Sequence, residues 1–150
     1  MNYKRANLEI CKELANNELV RGQEVSENMI IIIPESGYYG YFFDKKSIVF
    51  NMDKVRMIDS EARKVADLSI VIPENEISIS KDLRILDYKH AMARKFTKDG
   101  KEVLINNSFL RNLDVYATKF YQDKSNDLSV VIAVEDGVPS MCILPIKTCN

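Results

Sequence analysis

The sequence predicts an α+β protein, two amphipathic helices packed on antiparallel sheet. Three observations lead there: apolar residues recur at helical spacing in two separate segments, short β-branched or aromatic runs fill most of the remainder, and Asp-Gly pairs separate some of those runs. With 150 residues and a hydrophobic fraction of 46%, the chain has the size and composition of one domain with one core.

The first helix is expected over Tyr3 to Asn17, where Tyr3, Ala6, Ile10 and Leu14 form the apolar stripe and Arg5, Glu9 and Lys12 the polar face. The second is expected over Asn107 to Phe120. There Phe109, Leu113, Tyr116, Ala117 and Phe120 recur at helical spacing, and Asn106-Asn107-Ser108 supplies an N-cap. That triplet also matches a glycosylation sequon, but capping is the preferred reading. Strands are expected at 29–33, 38–43, 47–51, 68–72, 76–80, 92–97, 102–105, 128–134 and 140–146. Asp99-Gly100 and Asp136-Gly137 mark primed hairpin turns, because glycine accepts the positive φ such turns require. Ser36-Gly37 and Asp44-Lys45-Lys46 mark two further turns. Residues 52–67 stay open between a helix starting at Asp59 and a strand through Val55-Arg56-Met57-Ile58.

Twenty-one Lys and Arg against twenty-two Asp and Glu give a net charge of −1, which removes a global electrostatic case for nucleic-acid or membrane binding and leaves only local patches. Cys11, Cys142 and Cys149 are odd in number and fit reduced thiols, hence a cytoplasmic location. The start does not read as a secretory signal, and the longest apolar run, Met29 to Ile33, is far short of the roughly 20 residues a bilayer span takes. No cofactor or metal is expected: there is one histidine, His90, and no C-x-x-C pair or glycine-rich phosphate loop. Glu135-Asp136 is explained by its turn, and His90 has no adjoining nucleophile elbow. Gly37-Tyr38-Tyr39-Gly40 resembles the loop that grips nucleotide backbone in KH domains, but it adjoins strands rather than joining helices.

Two patches are candidate sites. Arg94, Lys95, Lys98 and Lys101 concentrate positive charge on one folded-back ribbon, the pattern of a phosphate-contacting hairpin; the alternative is a solvated hairpin whose charged edges discourage aggregation. Tyr38, Tyr39 and Tyr41 belong to an aromatic strand whose exposed members would form a groove for a partner peptide.

The order of elements after residue 100 resembles the closing half of a DNA sliding-clamp domain: strand Lys101 to Ile105, helix Asn107 to Phe120, strand Leu128 to Val134, turn Glu135-Asp136-Gly137, strand Ser140 to Ile146. Leu144-Pro145-Ile146-Lys147 stands where bacterial clamps carry their short apolar tail. The resemblance implies a non-enzymatic, clamp-like binding protein, DNA or a DNA-processing protein as partner, and a homo-oligomer as an open option. Neither helix is notably basic, so the resemblance does not extend to a DNA-lined ring. The alternative is a small inhibitor or adaptor that binds a protein through the aromatic strand.

Overall fold

Asn2 starts an α-helix: its side chain accepts a hydrogen bond from the Arg5 N–H (3.1 Å), satisfying one of the unpaired donors at a helix N-terminus. This helix, α1 (Tyr3–Ala15), ends where Asn16 caps it and Asn17 turns left-handed (φ 58°), a conformation asparagine tolerates. The computed structural model describes residues 1–58, 75–80, 84–123 and 128–147. The expected strand at 68–72, the alternative helix from Asp59 and Cys149 lie outside the described residues. The chain divides into two compact units, residues 2–71 and residues 72–150, with Met1 grouped with the latter.

In the first unit, α1 buries Ala6, Ile10 and Leu14. The strands are β1 (Arg21–Glu24), β2 (Met29–Ile33), β3 (Tyr39–Asp44) and β4 (Arg56–Met57), in spatial order β4-β1-β2-β3. β1–β2 and β2–β3 are antiparallel and β1–β4 is parallel. Register places Gly22 opposite Ile32 and Ile32 opposite Tyr41, so these three share one face. A Cβ on Gly22 would lie 2.9 Å from Val55 Cγ1 and 3.0 Å from the Met57 sulfur, so this glycine is required by close packing. Segment 47–51, expected as a strand, instead runs between short 3-10 helices at Lys45–Ser47 and Met52–Lys54. Of the open stretch, Arg56–Met57 is strand.

The second unit is built on antiparallel strand pairs. Its strands are β5 (Glu76–Ile79), β6 (Ile85–Tyr88), β7 (Ala91–Lys98), β8 (Lys101–Asn106), β9 (Lys119–Gln122), β10 (Val131–Glu135) and β11 (Val138–Ile143). β11-β10-β9-β5-β7 are neighbours in that order; β6 and β8 both pair with β7. Beyond β11 the chain returns to β8, where the Ile146 N–H donates to Leu104 O (2.7 Å). Phe96 and Phe120 meet inside with ring centroids 4.8 Å apart, among a core that includes Ile77, Ile105, Met141 and Ile143. Both expected hairpins form. Lys98 pairs with Lys101 and Glu135 with Val138, with positive φ at Asp99, Gly100, Asp136 and Gly137. A third two-residue hairpin joins β6 to β7 through Lys89 and His90, both at positive φ without glycine.

The helix expected over 107–120 is replaced by a six-residue 3-10 helix, Asn107–Asn112, followed by strand β9. Asn106 does cap its start, accepting from the Ser108 N–H (3.0 Å). The period breaks at Asp114, whose carboxylate accepts from the Tyr116 N–H (3.1 Å) and which offers the backbone a turn instead of a helix. Tyr116 from the expected stripe is 76% exposed, while Leu110, Val115 and Phe120 are buried. Among the described residues the chain is thus a mixed α+β protein with a large, mostly antiparallel sheet and few helices. Among the described residues no helix is long and apolar enough to cross a membrane.

Candidate functional site

Strand β3 is aromatic because it is the seat of α1. Tyr39, Tyr41 and Phe43 alternate onto one face, with edge-on ring contacts at 5.5 and 6.2 Å, continued by Phe43–Phe50 at 5.6 Å. Glu9 on α1 takes both phenols: Tyr39 donates to Oε1 and Tyr41 to Oε2 (3.0 Å). Tyr39 and Tyr41 are therefore buried under the helix, at 7% and 0% exposure, and only Tyr38 of the three expected partner-binding tyrosines stands exposed.

The same flank of α1 carries Glu13, which accepts the Glu35 N–H (3.0 Å). Burial pushes the Glu13 carboxyl above its ordinary value; Glu18, Glu9 and Glu35 push the same way, and the Glu35 N–H opposes them.

The opposite flank of α1 forms the site. Asn7 is 5% exposed, and its amide donates to Tyr3 O (3.0 Å) and Ser47 O (3.1 Å) while its oxygen accepts the Val49 N–H (3.0 Å). The bonds to Ser47 and Val49 fix segment 47–49 alongside the helix. Between them lies a groove of about 530 Å³, lined by Tyr3, Asn7, Leu8 and Cys11 on one side and Ser47 and Val49 on the other. Its apolar members face solvent: Leu8 is 54% exposed and Val49 77%. Lys4 and Arg5, both exposed, also line it. Burial, then the nearby Asp44 carboxylate, pushes the Tyr3 phenol above its ordinary value. Asp44 itself caps the 3-10 helix that follows, accepting from the Lys46 N–H (2.8 Å).

The four cations of the β7–β8 hairpin do not present one common face. Along β7, Arg94 and Lys98 alternate with Lys95. Arg94 Nε donates to the Asn107 side chain (2.9 Å), Lys95 pairs with Glu102, and Lys98 is 4% exposed with Nζ donating to Asp123 O (2.5 Å). Lys101 is exposed beside the turn, directly opposite Lys98.

Sequence reasoning missed the groove. Its signal was present as an asparagine one turn after Tyr3, inside a helical face that is otherwise apolar. Among the described residues Cys11 and Cys142 are in no disulfide, and no three His, Cys, Asp or Glu side chains are grouped to hold a metal ion. No protein-family model, curated protein or solved structure matches this chain.

Proposed function

We propose that the chain is a binding protein that engages a protein partner through the groove between α1 and segment 47–49. The observation that supports this most directly is structural cost. A nearly buried asparagine uses two of its three hydrogen bonds to hold a segment whose valine, Val49, is left 77% exposed beside the exposed Leu8. Stability alone gives no reason to display apolar side chains around a concave surface, whereas an interface does. The volume, about 530 Å³, suits an inserted side chain or two.

This keeps the adaptor reading and moves its contact surface from the aromatic strand to the groove next to it. The DNA-directed, clamp-like reading has less to support it, since Lys98 is buried and Arg94 and Lys95 are engaged within the chain. The test is a photo-crosslinking amino acid placed at Val49 in the native host. A discrete protein adduct that disappears when Leu8→Asp is added supports the proposal. An adduct pattern indifferent to Leu8→Asp, or no protein adduct at all, overturns it.

A further inference from the structure

We infer that the groove takes a partner segment in which an apolar side chain is flanked by aspartate or glutamate; this rests on the groove being a protein-binding site. The half-buried Glu9 and Glu13 are occupied by Tyr39, Tyr41 and the Glu35 N–H, whereas Lys4 and Arg5, the latter one turn before Glu9, line the groove. Lys12 follows Leu8 by one helical turn on the exposed side. Among the described residues neither Lys4 nor Arg5 makes an ion pair.

Their position sharpens the point. The first turn of α1 contains no acidic residue, so two cations add to the positive end of the helix dipole rather than cancelling it. This local excess sits in a chain whose net charge is −1, and one carboxylate, Asp44, lies near the Tyr3 end of the groove. An acidic partner segment neutralises Lys4 and Arg5 while its apolar residue fills the groove; a basic segment meets like charge there, which costs affinity and slows encounter. A concave groove also fits an inserted side chain better than the flat surface of a bilayer.

The experiment is selection of a displayed random dodecapeptide library on the intact protein, with Leu8→Asp protein as the counter-selection. Leu8 is half exposed, so this variant keeps its fold, checked by its thermal melt. Expected are peptides with one large apolar residue and an excess of Asp and Glu within four positions of it. For a selected, fluorescein-labelled peptide, the Lys4→Glu, Arg5→Glu double variant should weaken binding about tenfold, and added salt should weaken wild-type binding. Peptides with neutral or basic flanks would overturn this inference and leave the groove's role intact. No peptide enriched over Leu8→Asp would overturn the groove reading itself. Leu8-dependent sedimentation with phosphatidylserine–phosphatidylcholine vesicles, in place of peptide selection, would reassign the face to a membrane surface and overturn both.

Discussion

Asn7 and Glu13 sit on one helix and respond to opposite constraints. Asn7 satisfies three backbone groups at once, so Asn7→Ala strands the Val49 N–H and Ser47 O and is expected to cost about 2 to 4 kcal/mol, read by urea denaturation. A loss under about 0.5 kcal/mol would mean that segment 47–49 is held by other contacts. Glu13 is strained by its charge instead. Its folded-state value lies above the ordinary 4.5, so its contribution to stability is complete below that value and is lost as pH rises through the raised one. Glu13→Gln should therefore make the protein more stable near neutrality and flatten the stability-versus-pH curve above 4.5, while Gln still accepts the Glu35 N–H. Thermal melts across that range that coincide in slope with wild type would reject this.

At the scale of elements, turns were legible and the second helix was not, for physical reasons that differ. Asp-Gly specifies a primed turn through two consecutive residues, and both such pairs close two-residue hairpins. The Phe109 to Phe120 spacing demanded cooperation of a longer stretch, and Asp114 with its side-chain-capped turn interrupted it, freeing Phe120 to pair in β9 opposite Ala133. The Lys89-His90 turn escaped notice because neither residue signals positive φ, and this gives a clean prediction in both directions. A Cβ on Gly100 or Gly137 meets nothing within 4 Å, so Gly100→Ala and Gly137→Ala should each cost only the left-handed backbone penalty, about 1 to 2 kcal/mol. His90→Gly, at φ 71°, should recover a similar amount less glycine's entropic cost, a net gain of about 0.5 to 1 kcal/mol in denaturant melts. A destabilised His90→Gly would show that the imidazole contributes more than its backbone strain costs.

At the scale of the whole molecule the question is where charge can act on a partner. Linear sequence counts Arg94, Lys95, Lys98 and Lys101 as neighbours, but a strand sends successive side chains to opposite faces, and local partners engage Arg94, Lys95 and Lys98. That arrangement was beyond a reading by proximity, as was the groove, which depends on a contact between Asn7 and residues about 40 positions away. The consequence is measurable. A net charge of −1 supplies no long-range attraction to phosphate, and a buried Lys98 releases no counterions. Duplex DNA binding should then be barely detectable at low salt, with a log-log salt slope no steeper than roughly −2, where four full phosphate contacts would give roughly −3 to −4. Arg94→Ala with Lys95→Ala should leave that slope within about half a unit of wild type, because neither cation is presented to a shared phosphate track. A steep slope that falls by about two units in the double variant would instead return the hairpin to the role of phosphate site. It would require Lys98 and Arg94 to exchange their partners at Asp123 and Asn107 for the nucleic acid, and with that exchange the charge-based case for the groove would no longer stand alone in this chain.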